Sequence, residues 1–302
     1  MFKVYIKESC SLLPLTRLIR FKPYFCTVQT TSMKINFYTG VFTISLIFTY
    51  ISLAGCNNGT DVPAAPPPPQ PASLSYTIQK AFPHDTSSFT EGLLFYKGSL
   101  YESTGDHGKS KLLKIDLNTG KVEKQLDLDQ KYFGEGIVIL RDTIYQLTYM
   151  EKAVFVYTMD FKKINEFVIT TDNGQGWGMT TDGTNLIVDD GSSNLYFYEP
   201  STFKLIKKLP VTDAGALGYN LNELEYIDGY IYANQWQLPY ILKIDPSSGK
   251  IVAKADLTDV WNRIQQKAPK ADVLNGIAYD SETKKIYITG KNWPELYEVQ
   301  FN

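Results

Sequence analysis

From residue 74 to the C-terminus, apolar and polar positions alternate in short runs with a period of two, the pattern of strands that have two distinct faces. Ser99-Leu100-Tyr101, Thr143-Ile144-Tyr145, Asn185-Leu186-Ile187, Tyr230-Ile231-Tyr232 and Lys285-Ile286-Tyr287 are five such runs. Each follows a strand that opens on a polar or aromatic residue: Glu91-Gly92-Leu93, Glu135-Gly136-Ile137, Trp177-Gly178-Met179, Glu223-Leu224-Glu225 and Asn275-Gly276-Ile277. Each precedes a third strand, such as Leu112-Leu113-Lys114-Ile115-Asp116 or Ile241-Leu242-Lys243-Ile244-Asp245, where Asp opens a turn toward an outer strand. The openings lie 44, 42, 46 and 52 residues apart. Several strands repeated at this interval predict the blades of a β-propeller, an all-β fold with five blades.

The fifth unit reaches Asn302 with three strands, and the segment 74–82, with Tyr76, Ile78 and Lys80 ahead of Pro83, belongs to no unit. Lending that N-terminal strand to the last blade closes the ring and removes an exposed edge. One helical pattern interrupts the strands, at 257–270, where Val260, Trp261 and Ile264 share a face before Pro269. It accounts for the longest interval between units.

The chain before this region is of another kind. Residues 37–53 are apolar, with Lys34 upstream and Leu53-Ala54-Gly55-Cys56 downstream, the plan of a secretory signal ending at a small-residue cleavage site. Leu-Ala-Gly-Cys resembles a bacterial lipobox, which would make Cys56 the lipidated first residue of the mature chain; an uncleaved transmembrane anchor is the alternative. Residues 1–32 show no periodic pattern, and Met33-Lys34-Ile35 is a more usual signal beginning, so an upstream start misassignment is the expectation there. Residues 57–73 are polar and carry the run Pro66 to Pro69, the composition of a semi-extended spacer. The expected plan is therefore a signal region at 1–55, a lipidated Cys56 and linker at 56–73, and a propeller at 74–302. It implies an exported protein anchored in a bacterial envelope, on its periplasmic or surface face.

All three cysteines lie at or before position 56, so the propeller needs no disulfide and has neither a thiol nucleophile nor a Cys metal site. Without residues 1–55 the chain keeps 24 basic and 31 acidic side chains, a net charge of about −7, which disfavours nucleic acid as a partner. The only histidines, His84 and His107, disfavour a His-based zinc hydrolase. No Gly-x-Ser-x-Gly elbow is present, and Gly108-Lys109-Ser110 lacks the upstream Gly of a phosphate loop. Asp189-Asp190-Gly191-Ser192 fails the spacing of a calcium loop and reads as a strand followed by a turn.

Residues that open the innermost strands converge on the axis of a propeller, so Glu91, Glu135, Trp177, Glu223 and Asn275 are expected to form one ring. Like charges in a confined place raise a carboxyl pKa, as a general acid/base at neutral pH requires. The same glutamates equally suit bonding to backbone amides at the strand starts, or holding a structural cation such as calcium.

Phe89-Thr90-Glu91-Gly92-Leu93, Phe133-Gly134-Glu135-Gly136-Ile137, Leu147-Thr148-Tyr149, Gly176-Trp177-Gly178-Met179, Leu221-Asn222-Glu223-Leu224-Glu225, Ala233-Asn234-Gln235-Trp236, Leu274-Asn275-Gly276-Ile277 and Thr289-Gly290-Lys291-Asn292-Trp293 together resemble the plant-type and bacterial glutamine cyclotransferases. That resemblance covers residue 82 to the C-terminus. It implies a five-bladed propeller that converts an N-terminal glutamine to pyroglutamate with release of ammonia, without catalytic zinc or other cofactor. It further implies Glu135 as the essential carboxylate, and Phe89, Glu91, Phe133, Tyr149, Trp177, Asn222, Trp236 and Lys291 as the substrate pocket. Glu223, from the ring argument, is expected beside Glu91 to hold the substrate amine. Glu91 stands where that family usually has Gln, and Tyr149 where it usually has Trp. The implied partners are peptides or proteins with N-terminal Gln, and a closed ring implies a monomer. Two other functions fit a propeller with such a ring: a metal-dependent, lactonase-like hydrolase and a non-catalytic binding module of the envelope.

Overall fold

A strand with apolar residues on both faces needs a partner on each side, and here every inner sheet has two. The computed structural model describes residues 68–302. The expected signal segment and Cys56 lie outside the described residues. Blade I is built from Thr90–Tyr96, Ser99–Thr104, Lys111–Ile115 and Val122–Asp127, and blade II from Gly134–Leu140, Thr143–Thr148, Ala153–Thr158 and Lys163–Val168. Blade III comprises Met179–Thr181, Leu186–Asp189, Asn194–Glu199 and Lys204–Pro210; blade IV comprises Leu221–Ile227, Tyr230–Gln235, Tyr240–Ile244 and Ile251–Asp256. Blade V takes Leu274–Asp280, Lys285–Gly290 and Glu295–Phe301 from the end of the chain and Tyr76–Pro83 from near its beginning. The first strands of the blades touch in cyclic order, I to II to III to IV to V and back to I, so the ring is closed.

Alternation divides each blade's side chains between its two neighbours. In blade II, Ile137, Ile139 and Ile144 join Leu94 and Leu112 of blade I, whereas Val138, Tyr145 and Leu147 join Met179 and Leu186 of blade III. Five such clusters fill the five seams. Each fully buried Leu or Ile contributes about 1.5–3 kcal/mol, so the seams carry most of the stability. The outer strands Lys163–Val168 and Lys204–Pro210 face solvent almost throughout.

The closing strand pairs antiparallel with Glu295–Phe301, from Tyr76 opposite Phe301 to Pro83 opposite Glu295. The end of the expected spacer departs from a free linker. Ala72 and Ser73 pair in parallel with Ala253 and Lys254 on the outer edge of blade IV, and the Leu74 N–H donates to Lys254 O at 2.9 Å. Pro68 packs where a side chain on Gly215 would stand. The helix α1 runs Thr258–Lys267, shorter than the sequence pattern. It buries Val260 and Ile264 in the seam between blades IV and V, and it delivers residues 271–273 to the start of blade V's first strand. Among the described residues no helix is long and apolar enough to cross a membrane.

Candidate active site

Side chains at the axis are aimed by irregularities in the first strands. Ladder register shifts between Thr90 and Gly92, Gly134 and Ile137, Leu221 and Leu224, and Leu274 and Ile277. A bulge leaves its extra residue unpaired and re-aims it; here those residues include Glu91, Glu135, Asn222 and Asn275. In blade III the ladder starts later, and the Trp177 N–H donates to Asp189 O at 3.0 Å. This pairing corrects the sequence alignment of blade IV by one residue. Leu93, Ile137, Leu224 and Ile277 are equivalent, so Asn222, not Glu223, shares the position of Glu91 and Glu135.

The following position is glycine in the other four blades: in blades I to III the strands nearly touch there, and in blade V Gly276 takes φ +117°. A Cβ on Gly92 would lie 2.6 Å from Ile137 N, one on Gly136 2.6 Å from Met179 N, and one on Gly178 would strike Asn222 O. Blade IV puts Glu223 at this position. Its carboxylate accepts from Leu93 N–H at 3.2 Å and from Ile277 N–H at 2.8 Å, joining blade IV to blades I and V.

Above this layer opens a cavity of about 340 Å³ lined by Phe89, Glu91, Phe133, Glu135, Tyr149, Trp177, Asn222, Trp236, Gln237, Asp272, Val273 and Lys291. One wall is a chain of rings. Centroids lie 6.2 Å apart for Phe89 and Phe133, 5.8 Å for Phe133 and Tyr149, 6.2 Å for Tyr149 and Trp177, and 5.4 Å for Trp177 and Trp236. Two glycines make room for it: a Cβ on Gly105 would strike the Phe133 ring, and one on Gly191, at φ +74°, would lie 2.7 Å from the Trp177 indole. The Trp177 indole N–H is held by Gln175 Oε1 at 2.9 Å, so Trp177 offers the cavity a surface rather than a donor.

The opposite side is polar. Lys291 Nζ lies 2.7 Å from Glu91 Oε1 and 4.7 Å above the Phe89 ring centroid. The other Glu91 oxygen accepts from Asn275 Nδ2 at 3.2 Å. Burial raises the Glu91 carboxyl, against the pull of Lys291. Glu135 is 5 % exposed, and no hydrogen bond to its carboxyl forms among the described residues. Burial first, and then the charge of Glu91, raises it well above the ordinary carboxylate range. Asn222 is 2 % exposed, and its Oδ1 has no partner.

The pocket residues expected from sequence thus line one cavity except Glu223, which lies below it with both oxygens engaged; Asn275 of the expected ring does not line it either, and its amide is bound to Thr90 O and Glu91. Gln237, Asp272 and Val273 were not anticipated. Gln237 follows Trp236 at φ +65°, and Asp272 and Val273 follow the helix, so no strand repeat marks them. Among the described residues no three His, Cys, Asp or Glu side chains gather as a metal site. His84 is committed to Trp293 O at 2.8 Å and to Glu102 at 3.2 Å, and His107 rests its ring against the Phe133 edge.

A model of the glutamine cyclotransferase family matches residues 47–301. The chain belongs to that family. This cyclotransferase is 39 % identical over 222 residues to the glutaminyl-peptide cyclotransferase of Arabidopsis thaliana, covering 72 % of this chain and 69 % of that one. Its fold matches the crystal structure of Myxococcus xanthus glutaminyl cyclase with a TM-score of 0.72 and 32 % identity, over 77 % of this chain and 99 % of that one.

Proposed function

We propose that this cyclotransferase converts the N-terminal glutamine of peptides to pyroglutamate and ammonia, with Glu135 carrying the proton. The α-amine nitrogen attacks Cδ of the same residue's side-chain amide. A C–N bond forms, the carbonyl oxygen becomes an oxyanion, and the bond to the amide nitrogen then breaks to release ammonia. The amine loses one proton and the departing nitrogen gains one, so a single carboxyl can serve both ends. Because both reacting groups belong to one residue, the enzyme's main task is to hold the glutamine folded back on itself. The ring-lined wall supplies flat surfaces for a small amide, Asn222 Oδ1 an unused acceptor, and the Lys291 ammonium a donor for the oxyanion.

The observation that carries this reading is a buried carboxyl with no internal partner, facing an aromatic cavity in a chain of this family. Its test is ammonia release from Gln-initiated dipeptides by the purified chain, with and without EDTA and beside Glu135→Gln. Turnover that survives EDTA and disappears in the variant supports a metal-independent cyclase; undiminished turnover by Glu135→Gln refutes the assignment. The chain is further proposed to be exported and lipidated on Cys56, a reading that rests on Leu53-Ala54-Gly55-Cys56. Cys56→Ala would then release it from the membrane fraction.

A further inference from the structure

We propose that Glu91 keeps a proton on Glu135 by claiming Lys291, the one cation among the described residues that line the cavity. The inference rests on the reading of Glu135 as the proton carrier. The geometry divides the two carboxyls sharply. Glu91 Oε1 takes the Lys291 ammonium at 2.7 Å, and Oε2 takes the Asn275 amide at 3.2 Å, so both its oxygens face donors, the arrangement that suits a carboxylate. Glu135 shares the cavity and has no donor. One cation compensates one buried negative charge, and a second carboxylate beside it goes uncompensated in a poorly solvated place.

The groups that face Glu135 from the surrounding elements leave Lys291 as the deciding one. They are Glu91 at the start of blade I, Lys291 after the second strand of blade V, Asp189 at the end of the second strand of blade III, and Glu151 between the second and third strands of blade II. Asp189 is occupied by the Gly178 and Gly191 N–H groups at 3.1 and 2.9 Å, and Glu151 by the Phe133 N–H at 3.3 Å. Asp272, which faces Glu91, accepts from the Val273 N–H at 2.8 Å. Apart from Lys291, all these groups repel a charge on Glu135. The raised carboxyl range of Glu135, caused by burial and then by Glu91, agrees.

The chemical consequence is an order of proton moves. Glu135 meets the substrate carrying its proton and delivers it to the amide nitrogen as that C–N bond breaks. The attacking amine, which arrives neutral, keeps its extra proton while the new C–N bond forms and passes it to Glu135 once that carboxyl has protonated the leaving nitrogen, so Glu135 ends as it began. Glu91 touches neither reacting atom; it acts through Lys291 and Glu135 and is a positioning residue.

The test is the pH profile of kcat/KM for Glu91→Gln and for the wild type, with two Gln-initiated substrates whose amine pKa values differ. One limb of each bell follows the substrate amine and the other reports the enzyme. Glu91→Gln removes the repelling charge and frees Lys291 to face Glu135, so the enzyme limb moves to lower pH by about one unit; Lys291→Met moves it to higher pH. Superimposable enzyme limbs for the wild type and Glu91→Gln, or a shift upward in Glu91→Gln, overturn the proposal. Carboxyl-region infrared difference spectra of the wild type against Glu135→Gln, without substrate, give an answer even if Glu91→Gln folds poorly. A protonated-carboxyl band at pH 7 that Glu135→Gln removes supports the proposal, and its absence from the wild type overturns it. That measurement needs no turnover, so a chain that cyclised no peptide would sink the functional reading while leaving this one decided.

Discussion

Glu135→Gln is expected to lose activity and gain stability, a combination that separates a reacting carboxyl from a structural one. On the activity side, losing a proton carrier costs about 10²–10⁴ in kcat, or roughly 3–5 kcal/mol of barrier. On the stability side, the Glu135 carboxyl gives up no internal hydrogen bond on replacement, and its folded pKa lies above its ordinary range because of burial and the charge of Glu91. A carboxyl that binds its proton more tightly when folded stabilises the fold fully below its unfolded pKa of about 4.3. That stabilisation is lost as pH rises through the folded value. Gln does not titrate, so the difference in unfolding free energy between variant and wild type should grow with pH, by about 1.4 kcal/mol for each unit by which the folded pKa exceeds the unfolded one. Urea unfolding at pH 5 and pH 8, followed by tryptophan fluorescence, measures it, and an unchanged m-value shows that the folded states are comparable. A variant less stable than the wild type at pH 8 would mean that Glu135 holds the fold together, and the argument from its missing partners would fail.

Glu223→Gln should behave oppositely, because an amide nitrogen would face either the Leu93 or the Ile277 N–H. A loss of about 1–3 kcal/mol is expected in urea unfolding, with residual activity in the fraction that stays folded. His84 presents both ring nitrogens to acceptors, Trp293 O and Glu102 Oε1; burial opposes its charge, but Glu102 overcomes this and raises its pKa. The pair stabilises the seam between blades V and I most below about pH 6.5 and loses that contribution as pH rises through the folded value. His84→Gln should therefore cost about 3–5 kcal/mol at pH 6 and less at pH 9; a pH-independent cost would refute the charged pair. Gly191→Ala, at φ +74° and against the Trp177 indole, should cost about 1–2 kcal/mol of stability and raise KM for Gln peptides more than it lowers kcat. Unaltered kinetics would show that the indole face is not used.

The blade count, the strand order and the closing strand at 74–82 were legible because each depends on a local signal: period-two alternation, repeated openings, and an unassigned strand opposite a blade one strand short. Most of the cavity was legible for a related reason, since a propeller sends every strand opening to one axis and the family motifs lie on those openings. Gln237, Asp272 and Val273 escaped because they come from a loop and from the segment after a helix, where no repeat indicates direction. The docking of Ala72 and Ser73 on blade IV escaped for another reason: two backbone-paired residues leave no periodic signature. The off-by-one reading of blade IV arose because Glu223-Leu224-Glu225 imitates the polar opening of the other units, and only ladder pairing shows that Leu224 stands opposite Ala233 as Ile137 stands opposite Gln146.

That one-residue shift explains why carboxyls so close in sequence pattern have different fates. Gly92, Gly136 and Gly178 occupy a ring where adjacent backbones approach too closely for side chains pointing toward their neighbours, and Gly276, at φ +117°, stands at the equivalent place in blade V. Glu223 is the exception, and its two oxygens reach backbone amides of blades I and V, so a polar side chain fills the centre and ties three blades together. One position earlier, Glu91, Glu135, Trp177 and Asn222 rise into the cavity, where neighbouring backbones no longer supply donors. Asn275 is bound to Thr90 O and Glu91, Glu91 is bound to Lys291, and Glu135 is left with nothing to bind. Water or substrate must then satisfy the Glu135 carboxyl, which is the condition for exchanging a proton with either. The fold places acidic residues in both layers; the reach of the surrounding amides decides which of them serves structure and which is free for chemistry.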